Sequence, residues 1–354
     1  MQLLAILTLL AIPQDSPTQD LPALLDATVE EAIQDPAFVG LSVAVALDDE
    51  LLFAKGYGLA EAEHDVPVNT ETIFRIGSIT KQFTAAAVCQ LVETFDVDLD
   101  EDMNVYVPDF PTLGHTVTVR HLLTHTSGIP SYTSLGEEWS RTVPLELSHD
   151  ELLGFVKDRP FDFAPGSAFL YNNTGYYLLG VLLENVTETE YGALMQERFF
   201  GPLGMDRTLY DSNARLIRNR AQGYRFLDGE LSNDRPIGLS QPGAAGALAS
   251  TASDLVRWEI ALRTGKVVEP ATFEEMTLPF LLESAEEAPY GFGLFLGERG
   301  GVPSVYHGGG INGFNTMLAH YPEQGLTIAT LSNSESFDAS QVELTLAAAV
   351  RAAR

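Results

Sequence analysis

The sequence predicts an α+β fold: one antiparallel sheet built from both ends of the chain, flanked by helices, with a mainly helical lobe inserted between. Three observations carry this. Strand alternation falls in residues 41–57 and returns in residues 290–331. Helical periodicity dominates the long middle, and a final helical stretch, Val342 to Val350, closes the chain. Strands at both termini around a helical middle pair into one sheet more readily than into two, because sheet edges must be joined or covered. The chain therefore reads as one domain over 21–354, with a sheet lobe of about 21–76 plus 286–354 and a helical lobe of about 77–285.

Along the chain, Leu21, Leu24, Leu25, Val29, Ala32 and Ile33 recur at helical spacing and predict an amphipathic first helix. Leu41 to Leu47 alternates with Val43, Val45 and Leu47 on one face, and Asp48-Asp49-Glu50 turns the chain into a second strand, Leu51 to Tyr57. Thr72 to Ile76 predicts a short strand feeding a helix that is apolar nearly all round through Val92, the pattern of a central buried element. Helical patches follow at 119–124, 150–156, 176–186, 191–199 and 253–262. Strands are then predicted at 290–296, 304–306, 314–321 and 326–331, separated by turns rich in Gly, Pro and Asn.

Composition narrows the function classes. The 354 residues carry 49 acidic against 20 Lys and Arg side chains, a net charge of −29. Such a surface repels nucleic acid and anionic membrane, so neither is an expected partner; a small molecule or short peptide is. The single cysteine, Cys89, excludes an internal disulfide and sits in an apolar run as a buried small residue. Leu3 to Ile12 is apolar over the length of a signal-peptide core, too short to span a bilayer, and 13–17 reads as a linker. The expectation is a processed segment over 1–20, a periplasmic or secreted product, and no stable membrane insertion after processing. An ordinary N-terminal tail is the alternative.

Ser78-Ile79-Thr80-Lys81 places a hydroxyl and an amine three residues apart behind Gly77, at the head of the buried helix. Residues i and i+3 share a helix face, so the amine reaches the hydroxyl. Serine needs a neighbouring base, and a desolvated lysine can serve. The chain has only four lysines, yet a Ser-x-x-Lys still arises by chance in roughly a quarter of such sequences. Two further patterns decide it. Tyr171-Asn172-Asn173, in a loop rich in Gly and Asn, offers a phenol and an amide; a lysine beside the phenol is expected to lower its pKa toward that of a general base. Asn173 can donate to and accept from a substrate amide. His307-Gly308-Gly309-Gly310, expected between two strands, supplies small residues for backbone pairing with substrate, with the N–H groups of Ser78 and Gly310 as the expected oxyanion hole. His307 offers a donor or a titratable charge for a substrate carboxylate. Gly308, Gly310 and Gly313 also fit G-x-G-x-x-G, but a strand follows where a dinucleotide fold needs a helix.

Ser78-x-x-Lys81, Tyr171-x-Asn173 and His307-x-Gly309, in that order, resemble the three motifs of the serine β-lactamase and penicillin-binding protein superfamily. The flanking Phe74 to Phe83, His121 to Gly128 and Gly246 to Leu255 resemble its branch of class C β-lactamases, D-alanyl-D-alanine carboxypeptidases, D-aminopeptidases and related esterases. The resemblance covers the chain from about residue 21 onward. It implies a β-lactamase/transpeptidase-like fold and a serine hydrolase in which Ser78 is acylated, Lys81 and Tyr171 shuttle protons, and no metal or cofactor takes part. Asn173, His307, Gly309 and Gly310 would contact substrate or oxyanion. Class A enzymes carry Ser-Asp-Asn, Lys-Thr-Gly and a deacylating glutamate; this chain has none of these, and histidine replaces the third-motif lysine of class C. The expected substrates are therefore amides, peptides or esters, including D-amino-acid peptides, with a true β-lactamase or an inert penicillin-binding protein as alternatives. His121 and His125 have the spacing of a zinc pair, but no glutamate follows His121, and no metal site is expected. The absence of Gly-x-Ser-x-Gly argues against an α/β-hydrolase fold.

Overall fold

A computed structural model describes residues 20–354; the predicted leader over 1–20 lies outside the described residues, Asp20 excepted. Seven antiparallel strands form the main sheet, in the order Val66–Pro67, Glu50–Glu61, Gly40–Leu47, Leu326–Ser332, Phe314–Tyr321, Val302–Ile311, Phe295–Arg299. The two ends of the chain meet at its centre, where Leu41 to Leu47 pair with Ser332 to Leu326. That is the α+β sheet predicted from the two strand-rich termini.

Alternation along Gly40–Leu47 assigns its faces. Leu41, Val43 and Val45 pack with Leu25 and Val29 of the helix Leu21–Ala32 and with Leu346 and Val350 of the helix Ala339–Ala353. Ala44 and Ala46 face the other layer, where small side chains let the helix Ala252–Arg263 pack against the sheet. Burying the larger aliphatic residues stabilises each site by about 1.5–3 kcal/mol. The helix Thr80–Glu93 runs through the second layer with 80–89 and Leu91 all buried. Its all-round apolar sequence has no other placement available.

The mainly helical middle also contributes short strands: Leu248–Ser250 and Leu209–Tyr210 join Phe74–Arg75 in a small sheet, and Tyr224–Leu227 pairs with Glu230–Asn233. Two predictions need correction. The strand expected at 290–296 begins only at Phe295; Tyr290 makes an isolated bridge to Phe295. Most consequentially, 307–310 do not lie between strands. The strand Val302–Ile311 runs straight through the glycines, paired with 314–320 on one side. Close packing makes Gly309 necessary here. A Cβ on Gly309 would lie 2.0 Å from the Ile76 carbonyl oxygen and 2.4 Å from Thr316 Oγ1. On the other side, Phe295–Arg299 pairs only with 302–306, which leaves that edge of 307–311 open toward the nucleophile.

Candidate active site

Ser78 sits in a one-turn 3-10 helix, Gly77–Ile79, that leads into Thr80–Glu93. Gly77 has φ +49°, a left-handed conformation, and a Cβ there would lie 2.9 Å from the Gly310 nitrogen. The nucleophile's turn and the open strand edge therefore touch backbone to backbone. Ser78 is half-buried, and among the described residues no backbone carbonyl accepts from its N–H. That orphan donor at the head of a helix is free for a developing oxyanion. Gly310 is exposed, with nothing within 4 Å of the Cβ it lacks, so its backbone borders open space.

Lys81 is fully buried, and its Nζ lies 3.2 Å from Ser78 Oγ, 2.8 Å from Asn173 Oδ1 and 2.8 Å from the Ala245 carbonyl oxygen. Burial pushes its pKa well below the ordinary lysine value. Nothing opposes that shift: desolvation is its sole cause. A neutral amine has two N–H donors and one lone pair. The two shorter contacts end on carbonyl oxygens that can only accept, so the lone pair is left for the Ser78 hydroxyl.

The helix Asn173–Thr187 begins at the second motif, with Asn172 as its N-cap accepting from the Gly175 N–H at 2.8 Å. This places Asn173 on Lys81 and Tyr171 beside both, with Lys81 Nζ 4.9 Å from the Tyr171 ring centroid. Here the expectation of a lowered Tyr171 pKa fails. The hydroxyl is buried with no partner at full hydrogen-bonding geometry, and burial raises its pKa far more than nearby Ser78 lowers it. Tyr171 is a protonated phenol; Lys81 is the basic group. Asn173 is less free than expected, since its amide oxygen is held by Lys81 and its nitrogen donates to Thr133 Oγ1 at 3.1 Å.

The expected charge on His307 is also overturned. Its ring is buried, and burial together with the Lys81 charge lowers its pKa to about 3. Nδ1 lies 2.6 Å from the Gly308 carbonyl oxygen and must donate, so Nε2 accepts from the Tyr290 hydroxyl at 2.8 Å. A neutral imidazole with both nitrogens engaged cannot clamp a carboxylate. His307 still lines the cleft.

The cleft has two compartments meeting at Ser78. An open one of about 390 Å³ is lined by Tyr171, Phe295, Tyr306, His307, Gly308 and Met317. A smaller one of about 110 Å³ includes Tyr132, Trp139, Asn173, Ala245 and Gly310 in its wall. Neither lining contains Lys or Arg. Tyr132 and Trp139 both reach it; Tyr132 donates to the Gln241 carbonyl oxygen at 2.7 Å and Trp139 Nε1 to Gln241 Oε1 at 2.8 Å. The sequence reading missed Ala245, Thr133 and Tyr290. Ala245 acts through its main chain, which no residue pattern reveals; Tyr290 was placed inside a strand. His121 and His125 each accept a backbone N–H at Nδ1, from Thr118 at 3.2 Å and Asn172 at 3.1 Å.

A Ser–Lys pair with a phenol beside it, at an open strand edge on an antiparallel sheet with a helical layer, defines a serine hydrolase of the penicillin-recognising type. The chain belongs to the Beta-lactamase family, whose model matches residues 25–353. It is 30% identical over 319 residues to a penicillin-binding protein of Bacillus subtilis (strain 168), covering 83% of this chain and 68% of that one. It is 28% identical over 303 residues to the D-aminopeptidase of Gluconobacter oxydans (strain 621H), covering 84% of this chain and 56% of the relative. The chain thus spans between about half and two thirds of these relatives. Among solved structures, the D-amino acid amidase of Ochrobactrum anthropi SV3, complexed with L-phenylalanine amide, superposes with TM-score 0.79 at 27% identity, covering 95% of this chain and 98% of that one.

Proposed function

We propose that this protein hydrolyses amides and esters that carry no carboxylate through an acyl-enzyme on Ser78, with amides of D-amino acids as the leading substrate class. The carrying observation is the buried Lys81 amine, held by Asn173 and Ala245 with its lone pair toward Ser78 Oγ. Lys81 takes the Ser78 proton as Oγ attacks the carbonyl carbon. The N–H groups of Ser78 and Gly310 receive the oxyanion. Tyr171, protonated at neutral pH, gives its proton to the leaving nitrogen or oxygen and is reprotonated from the Lys81 ammonium. Water then attacks the ester along the same route in reverse, giving up its proton to the Tyr171–Lys81 pair and releasing the acid and free Ser78.

Two features favour amides and esters over carboxylate-bearing substrates such as penicillins or peptides with a free C-terminus. His307 is neutral, and neither compartment is lined by Lys or Arg. The names of the D-aminopeptidase and D-amino acid amidase relatives support the D-amino-acid part. The test is covalent labelling by a fluorophosphonate, read by intact mass, alongside hydrolysis of D- and L-phenylalanine amide, p-nitrophenyl esters and a cephalosporin. Labelling lost in Ser78→Ala, with D-amide or ester turnover above cephalosporin turnover, is expected. No labelling, or cephalosporin as the best substrate, would sink the reading.

A further inference from the structure

The loop 124–131 carries a side chain that the chemistry above leaves unused. His125 is 1% exposed and stands at φ +59°, a left-handed conformation unusual for a residue with a Cβ. Strain of this kind persists only where the surroundings enforce it. What it achieves is a two-point grip on one residue. The His125 carbonyl oxygen accepts from the Leu170 N–H at 3.0 Å, and its Nδ1 accepts from the Asn172 N–H at 3.1 Å. Leu170 and Asn172 are the two neighbours of Tyr171. The imidazole also lies against the Tyr171 ring, with centroids 4.3 Å apart. The Asn173 N–H, donating to Ser131 Oγ at 3.2 Å, ties the next residue to the same loop.

The grip fixes a tautomer. Because Nδ1 accepts, the proton of a neutral His125 sits on Nε2, and burial together with the Lys81 charge holds the ring neutral. That Nε2 is buried with no hydrogen-bond partner, inside a cage of Tyr171, Tyr176 and Tyr290 rings whose centroids lie within 5.0 Å of the imidazole. An unpaired buried donor costs about 1–3 kcal/mol. A packing residue of the same shape, such as Phe, would avoid that cost, so the nitrogen that does bond must justify the ring.

We propose that His125 is the positioning residue for Tyr171, straddling it with one backbone and one side-chain acceptor so that the phenol stays over Lys81 and Ser78. It touches neither substrate nor reacting atoms. The inference rests on the proposed role of Tyr171 as proton donor to the leaving group.

The test compares His125→Phe, which keeps the ring volume without the acceptor, with His125→Asn, whose Oδ1 takes the place of Nδ1 and whose residue type tolerates φ near +60°. Both are checked by thermal melting, labelled with a fluorophosphonate, and assayed on D-phenylalanine amide. Misplacing a proton donor by about 1 Å costs on the order of 100-fold in rate. His125→Phe should therefore lose kcat by about that factor, with KM within about threefold, while His125→Asn recovers at least about a tenth of the parent kcat. Wild-type kcat in His125→Phe, or equal impairment of both variants in folded protein, overturns the proposal. If His125→Phe does not fold, His125→Asn alone decides it: more than about tenfold loss of kcat in folded protein counts against the acceptor. A parent enzyme that takes no label and cleaves no amide would instead overturn the reading of Ser78 and Tyr171, and this outcome is separate because it involves no variant.

Discussion

Lys81 Nζ donates to Asn173 Oδ1 across 2.8 Å, joining the first and second motifs by a bond between residues 92 positions apart. The bond does two things. It uses one of the two N–H groups of a neutral amine, and it locks the Asn173 amide with its oxygen inward. With Ala245 taking the second N–H, the lone pair is directed by elimination at Ser78. Position and protonation state are set by the same contacts.

The first prediction separates Lys81 from Tyr171. With burial lowering the Lys81 pKa and raising that of Tyr171, the two act at different moments. Tyr171→Phe should slow amide hydrolysis by about 100-fold to 10,000-fold, the usual worth of a positioned acid. It should cost much less on a p-nitrophenyl ester, whose leaving group departs without a proton. Acylation rates on matched amide and ester substrates read this out. Equal losses on both would mean that Tyr171 serves the attack on the carbonyl, not the departure.

The second concerns the base itself. Lys81 acts in its neutral form, so the acylation rate should rise with pH through its depressed pKa and level off above it, below the range of ordinary lysines. A guanidinium does not deprotonate in proteins, so Lys81→Arg, charge retained, should lose acylation by about 1,000-fold or more. The readout is the rate of fluorophosphonate labelling from pH 5 to 9. A labelling rate preserved in Lys81→Arg would remove Lys81 from the base role.

How much of this site the sequence disclosed depends on where the determining atoms lie. Ser78, Lys81, Tyr171 and His307 were legible as side chains in short patterns, and the structure brings all four around one cleft. Their charge states were not. A lysine near a tyrosine suggests a phenolate until burial is known, and burial sets Tyr171 and His307 the other way. The strand through Gly308, Gly309 and Gly310 was misplaced because glycines in a strand pattern ordinarily mark its end. Here Gly309 answers to the Ile76 carbonyl oxygen, 233 residues away in sequence and beyond the reach of local pattern. The Ala245 carbonyl is invisible for a simpler reason: every residue has one.

A third prediction concerns acid stability. His307 has a folded pKa of about 3 against an unfolded value near 6.5, and His125 is lowered in the same direction. Between those values the unfolded chain binds a proton that the folded one refuses. Stability is therefore complete above the unfolded pKa and is lost as pH falls toward the folded one, at roughly 1.4 kcal/mol per pH unit for each such group. Melting temperature should drop from pH 6.5 to 4.5, and less steeply in His307→Gln, which keeps an acceptor for Tyr290 without a titrating ring. An identical slope in parent and variant would show that His307 is not held neutral. Consistently, turnover of carboxylate-bearing substrates should not climb over this interval.

The last prediction uses adjacent glycines with opposite surroundings. A Cβ at Gly309 would overlap the Ile76 carbonyl oxygen at 2.0 Å, and that carbonyl belongs to the residue entering the nucleophile's turn. Backbone cannot move aside as a flexible side chain does, so Gly309→Ala must push the strand Val302–Ile311 away from Gly77 and Ser78. The Gly310 N–H then leaves its place beside the nucleophile, and losing one oxyanion donor costs about 100-fold to 1,000-fold in kcat. At Gly310 itself a methyl group meets nothing within 4 Å. Gly310→Ala should melt within a degree or two of the parent and keep its oxyanion N–H, raising KM only where the methyl group crowds substrate. Melting curves and kcat for the two alanine variants check the pair. A Gly309→Ala protein as active as Gly310→Ala would mean that the strand edge and the serine turn are not held in register by this contact, and that the oxyanion donor lies elsewhere.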